Sequence, residues 1–259
     1  RGKGEEHEGR WNVLWRRYGE SFPALAVEFR RQMAGELPAG WEALLPDYTG
    51  EQKDVSTRKV SEAILQAIAP ALPELIGGSA DLNPSCLSWL KGYGDFQRPD
   101  PGHTGTPGEV GGGWNYAGRN IHFGVREHAM GAIAGGMALH GGAIPYTATF
   151  FTFADYMRPP MRLAALMGLP VIYVFTHDSF AVGEDGPTHQ PVEQLMNLRA
   201  VPNLTVLRPC DAAEAVEAWR FAIQNRQGPT ALVFTRQDVP VLKRQELAPA
   251  AGLHNGAYI

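Results

Sequence analysis

The sequence predicts an α/β fold, a mainly parallel sheet with helices on both faces, preceded by a helical linker. Three observations carry that reading. From Ser56 onward, short β-branched runs alternate with amphipathic segments three or four helical turns long, the pattern of strands joined by crossover helices. Val171 to Thr176 is one continuous apolar run, as in a strand buried on both faces. Before Met33, in contrast, large apolar residues recur in steps of three and four that make one helical stripe.

Each element has its own cause. Residues 1–9 are rich in Gly and Glu and read as a solvated linker. Trp11, Leu14, Trp15, Tyr18, Phe22, Leu25, Phe29 and Met33 then form one helical stripe, which Pro23 kinks or divides. Gly35 to Tyr48, with Pro38 and Pro46, is a connector. Ser56 to Ala69 is a helix capped by Ser56 or Thr57 and stopped by Pro70. Glu74 to Gly78 is a strand. Residues 92–118 are crowded with Gly and Pro and read as a long surface loop, loosest from Gly102 to Gly113. Asn120 to Phe123 is a strand, Glu127 to His140 a helix and Ala143 to Ala148 a strand. The next helix runs to Met167 and is interrupted at Pro159-Pro160. Beyond the buried strand, Pro191 to Arg199 is a short helix, Leu204 to Leu207 a strand, Ala212 to Gln224 a helix and Ala231 to Phe234 a strand.

Composition narrows the function. The 259 residues are 44% hydrophobic and 19% charged, with a net charge of −4 that favours neither nucleic acid nor a membrane surface. No apolar run approaches the ~20 residues of a membrane helix. Cys86 and Cys210 form no CxxC pair and no disulfide framework, which fits a reducing, cytoplasmic setting.

In a parallel α/β sheet, ligands lie beyond the carboxyl ends of the strands. Four such ends are loaded with polar groups: Gly78 to Ser85, His122 to His128, Thr176 to Gln190 and Thr235 to Asp238. Each has a plain structural reading as well. Glu127 suits a helix N-terminus for dipole reasons alone, Asp185-Gly186 is a common turn pair, and Arg58 could be a surface charge. Phe150, Phe153 and Tyr156 could be core. His177, Asp185 and His189 are metal-ligand types, but their spacing matches no zinc motif. Neither a P-loop nor a GxGxxG occurs.

Their combination says more. In order, Thr57-Arg58-Lys59, Gly77-Gly78-Ser79-Ala80-Asp81-Leu82, Gly124-Val125-Arg126-Glu127-His128, Thr176-His177-Asp178-Ser179, the string GEDGPTHQP from Gly183 to Pro191, and Arg236-Gln237 resemble transketolase. The match runs from about Thr57 to Asp238 and resembles that family's pyrimidine-binding domain. Deoxyxylulose phosphate synthase and the pyruvate dehydrogenase β subunit differ in that string, whereas dihydroxyacetone synthase does not differ clearly and is an alternative reading.

The resemblance implies a thiamine diphosphate fold and a reversible transfer of a two-carbon ketol unit between sugar phosphates. It implies three parts: residues 1–50 a helical linker from an N-terminal domain, 51–240 the pyrimidine-binding domain, and 241–259 a connector toward a C-terminal domain. Glu127 would hydrogen-bond the cofactor's aminopyrimidine and promote its proton-accepting imino form. Phe150, Phe153 and Tyr156 would wall the ring, with Phe153 stacked on it, and Asp81 would approach the thiazolium side. Arg58, Ser85, His177 and Arg236 would hold the substrate phosphate, Asp185 would read the donor's C2 hydroxyl, and His189 would line the channel. Glu127, His189 and His177 are thus the catalytic candidates.

No metal ligand is expected in this chain. The cofactor's diphosphate and its Mg2+ or Ca2+ belong, by the same resemblance, to a domain with a Gly-Asp-Gly motif that this sequence lacks. That domain or a complementary chain is the implied partner, in a homodimer of the whole protein. The start at Arg1 and the end in a fresh apolar run read as a piece of something longer, expected to show no ketol transfer alone. A transketolase-like module kept for assembly or regulation is the alternative from another class.

Overall fold

The computed structural model describes residues 2–48, 53–100, 102, 105, 109–245, 247–256 and 258. Part of the Gly102 to Gly113 loop (residues 103, 104 and 106–108) lies outside the described residues, as do residues 49–52 around the expected linker boundary.

An eight-stranded, wholly parallel sheet forms the centre, in the order β3-β2-β4-β1-β5-β6-β8-β7. The strands are β1 (Leu75–Ser79), β2 (Asp95–Phe96), β3 (Trp114–Asn115), β4 (Asn120–His122), β5 (Ile144–Phe150), β6 (Ile172–Thr176), β7 (Thr205–Leu207) and β8 (Thr230–Val233). The helices are α1 (Gly2–Ser21), α2 (Pro23–Met33), α3 (Thr57–Ile68), α4 (Asn83–Cys86), α5 (Glu127–His140), α6 (Ala154–Met167), α7 (Gln194–Arg199) and α8 (Ala212–Gln224).

Alternation along the central strands builds two cores. Tyr146, Ala148, Ile172, Val174 and Leu232 pack under α3 and α8. Tyr173, Phe175, Ala231 and Val233 point the other way, under α5, α6 and α7. With both faces covered, β6 and β8 are apolar but for one terminal threonine each, as expected from the run at Val171–Thr176, while β5 adds the buried Thr147 and Thr149. No helix among the described residues is long and apolar enough to cross a membrane.

Several local expectations need correction. Residues 2–9 are helical, continuing α1 toward the N-terminus, with Glu6 and Arg10 paired one turn apart. Pro159 and Pro160 do not interrupt α6. They are its sixth and seventh residues, and the helix continues past them without the two hydrogen bonds that prolines cannot donate. The helix expected from Pro191 begins at Gln194, and α4 was not foreseen. Within the Gly-rich stretch, β2 and β3 pair in parallel. Glycine permits this because a Cβ at Gly112 would lie 2.3 Å from the Gly94 nitrogen, and one at Gly118 2.3 Å from the Asp95 carbonyl carbon. Arg119 anchors the excursion, donating to the carbonyls of Ala69, Leu72 and Leu75 and lying 4.3 Å over the Tyr93 ring.

One contact closes the domain across most of its length. Thr57 N–H donates to Thr235 Oγ1 at 3.0 Å, and Thr235 N–H returns the bond to Thr57 Oγ1 at 2.8 Å. Val55 and Val239 form an antiparallel bridge beside it, and Ser56 N–H donates to Asp238. Both threonines are buried. Replacing Thr57 by Val keeps the shape but strands the Thr235 N–H, so urea unfolding should show a loss of about 1–3 kcal/mol.

Candidate active site

The strand order reverses at β1, whose neighbours are β4 on one side and β5 on the other. Loops leaving β1, β4 and β5 must therefore diverge, and a crevice opens at their carboxyl ends. That crevice is a cleft of about 610 Å³ lined by Ala80, Asp81, Leu82, Val125, Glu127, Phe153, Tyr156 and His189.

Each wall has a local cause. Ser79 Oγ accepts from Leu82 N–H and turns the chain after β1, placing Asp81 in the left-handed region at φ 65°. Glu127 is the first residue of α5, where the helix dipole favours a carboxylate, and it is buried. Among the described residues no protein group hydrogen-bonds its carboxylate, so the helix-acid reading accounts for its position but not for its burial. After β5 the chain makes a 3-10 turn, Phe151–Phe153, that leads directly into α6. Phe150 and Phe153 stack with centroids 6.0 Å apart, and Phe153 and Tyr156 do the same.

The aromatic wall differs in one respect from its sequence reading. Phe153 and Tyr156 line the cleft, whereas Phe150 stands behind Phe153. Its ring lies 3.8 Å from that of His177 and 6.2 Å from that of His189. Phe150 thus joins the cleft to a second cluster over the ends of β6 and β8.

In that cluster Arg58 extends from the first turn of α3 and donates Nη1–H to the Ser85 carbonyl at 2.6 Å. Its Nε is buried without a partner. Burial and the charge of Arg236 both lower the Arg58 pKa. His177, buried and left-handed at φ 60°, bonds Thr176 Oγ1 through Nδ1 at 2.9 Å. Burial, then the charges of Arg58 and Arg236, push its pKa down to about 4, against an upward pull from Asp185. His189 lies in a 3-10 turn, its ring 5.3 Å from Phe153. Arg236 donates to Glu184 at 2.9 Å.

The structure therefore brings Arg58, Ser85, His177, Asp185, His189 and Arg236 into one neighbourhood and Asp81, Glu127, Phe153 and Tyr156 into the adjoining cleft. Ser85 contributes to Arg58 through its carbonyl. Sequence reasoning gave no role to Thr176, though it named it in a motif, or to Cys86; both lie beneath the cluster, where the Thr176 hydroxyl donates to Cys86 Sγ at 3.4 Å. Burial raises the Cys86 thiol to about 12, so it is no nucleophile.

His177 and His189 belong to no group able to hold a metal among the described residues. Cys210, Asp211 and Glu214 do lie close enough together. Their oxygens, however, already accept from Arg244, Tyr258 and the backbone N–H groups of Cys210 and Glu214.

Comparison with known proteins decides the family. The model of the transketolase pyrimidine-binding domain matches residues 53–241. The chain belongs to the transketolase family. It is 51% identical over 256 residues to the transketolase of Geobacillus stearothermophilus and 50% identical over 257 residues to that of Halalkalibacterium halodurans. In each case 99% of the chain and 36% of the relative are covered, so the chain spans about a third of those proteins. A crystal structure of Pichia stipitis transketolase with sedoheptulose 7-phosphate superposes with a TM-score of 0.88 at 43% identity, covering 99% of this chain and 36% of that one. The mainly parallel α/β fold expected from the sequence is thus the fold of transketolase.

Titration of His177 tests the geometry of this transketolase domain. Its folded pKa lies below the ordinary 6.5, so the unfolded chain takes up the proton first. The stability it contributes is complete above about pH 6.5 and is lost as the pH falls toward 4. Between pH 7.5 and 5, denaturant titrations should show the parent losing roughly 1–2 kcal/mol more than His177→Asn. Asparagine is chosen because it tolerates the left-handed backbone.

Proposed function

We propose that this chain supplies the pyrimidine-binding and phosphate-binding half of a transketolase site. The whole enzyme would move a two-carbon ketol unit reversibly from a ketose phosphate to an aldose phosphate. The observation that carries this is the buried, unpartnered Glu127 carboxylate in an aromatic-walled cleft, next to two arginines with no buried carboxylate partner.

The cleft suits thiamine diphosphate. An aminopyrimidine is flat and apolar on its faces, which Phe153 and Tyr156 would cover, and it carries a basic ring nitrogen, which Glu127 would address. When bound, the cofactor supplies the thiazolium that stabilises a carbanion. Glu127 holds the proton at the pyrimidine nitrogen, a role a buried carboxyl can fill without competition from protein donors. Asp81, on the β1 wall, is assigned to the thiazolium side. Arg58 and Arg236 bind the substrate phosphate with Ser85 and neutral His177, through charge-assisted hydrogen bonds. Asp185 and His189 orient the sugar between phosphate and cofactor.

Nothing in the three-residue Cys210 cluster fits the divalent ion, since its acceptors are already used. The diphosphate and its Mg2+ or Ca2+ are assigned to the remainder of the protein or a complementary chain. A homodimer is supported by the exposed apolar side chains on α5 and α6, among them Ile133, Leu139, Leu163, Leu166 and Met167. A cytoplasmic setting is supported by the two free cysteines. A purely structural module would have no use for this assembly of Glu127, Phe153, Arg58 and Arg236.

A chimera tests the reading, with this chain replacing the matching third of the Geobacillus stearothermophilus protein. It should transfer ketol units between sugar phosphates when given thiamine diphosphate and Mg2+. Glu127→Gln in the chimera should lower kcat by at least about a hundredfold. Equal turnover by that variant removes the proposal.

A further inference from the structure

We infer that Glu184 is a built-in counter-anion, occupying Arg236 while the phosphate position is free and releasing it when a phosphorylated ligand enters. The inference rests on the assignment of Arg58, Ser85, His177 and Arg236 as the phosphate group.

Three observations lead to it. Arg58 and Arg236 are close enough that the charge of one disfavours the charge of the other. Yet only Arg236 has a carboxylate in hydrogen-bond contact, Glu184 at 2.9 Å, while Arg58 has a carbonyl and a buried, unpaired Nε. The Glu184 side chain is 81% exposed against 33% for Arg236, so the pair sits at the rim of the cluster. Finally, Glu184 is carried between Gly183 and Gly186, both in the left-handed region at φ 87° and 79°. Glycine at both ends gives that segment alternatives that other residues lack.

The energetics favour exchange. An exposed ion pair is worth little, typically under about 1 kcal/mol. A phosphate dianion bound by two guanidinium groups makes stronger, partly desolvated hydrogen bonds. Glu184 should therefore yield to phosphate and never to a neutral sugar. It keeps Arg236 extended in the free protein, and it sets a threshold against weakly charged anions. Asp185, the next residue, is not equivalent, since its charge acts on His177 and Arg58 within the cluster.

Calorimetric titration of the full 259-residue chain with inorganic phosphate, at pH 7.5 and low salt, is the test. Glu184→Gln should tighten phosphate binding roughly threefold or more, because a competing charge is gone. Arg236→Gln should weaken it at least about tenfold, and adding Glu184→Gln to that variant should change nothing further. Glu184→Asp should stay near the parent. If Glu184→Gln binds phosphate no better while Arg236→Gln still binds it worse, the counter-anion role falls and the phosphate site stands. If neither Arg58→Gln nor Arg236→Gln affects binding, or phosphate does not bind the parent, both assignments fall together.

Discussion

The reciprocal hydrogen bonds between Thr57 and Thr235 are the constraint on which the rest of the site depends. They join the start of the first domain helix to the end of the last strand, and each satisfies a backbone donor that would otherwise be buried alone. Satisfying both donors at once leaves little freedom in the relative placement of α3 and β8. Because Arg58 and Arg236 are the residues immediately following, the clasp also fixes two guanidinium groups within electrostatic reach of each other. Two cations are thus held near each other by a neutral contact, the feature on which the proposed phosphate site rests. The fold itself thus sets the charge character of the cluster.

The second organising feature is the reversal of strand order at β1. It forces the loops of β1, β4 and β5 apart and puts Asp81, Glu127 and Phe153 around one opening. Two of the residues at strand ends, Asp81 and His177, are left-handed without being glycine. Such backbone is costly, and it persists where surrounding contacts hold it. At His177 those contacts are the Thr176 hydroxyl and the face of Phe150. Phe150 is therefore shared: it backs Phe153 on the cleft side and His177 on the cation side, so a change in its volume would be felt in both halves.

Much of this was legible in the sequence, for reasons that differ by element. Helices α5 and α8 were read with their observed bounds because each has an acidic first turn or an Asp cap, and a glycine or polar stop. The central strands were legible because burial on both faces leaves no alternation to misread. The candidate residues came from ordered motifs, and the structure places them near one another at the carboxyl ends of the strands. What could not be read depended on distance. Thr57 and Thr235 are 178 residues apart, and neither has a local signature. The pairing of β2 with β3 needs contacts between glycine backbones that no propensity reports. The helix at residues 2–9 was hidden by glycines that argue against it, and its Glu6–Arg10 pairing shows only once the helix exists. Ser85 was read for its hydroxyl, whereas its carbonyl meets Arg58, a distinction set by the short helix α4.

The protonation state of His177 completes the physical argument. A third cation beside Arg58 and Arg236 would raise the repulsion already evident between them, and burial removes the water that could screen it. The imidazole is therefore kept neutral, and the cluster presents two permanent positive charges. Two charges are the number that the phosphate dianion proposed for this cluster would balance. Asp185 pulls the other way on His177 but does not outweigh burial and the two guanidinium groups.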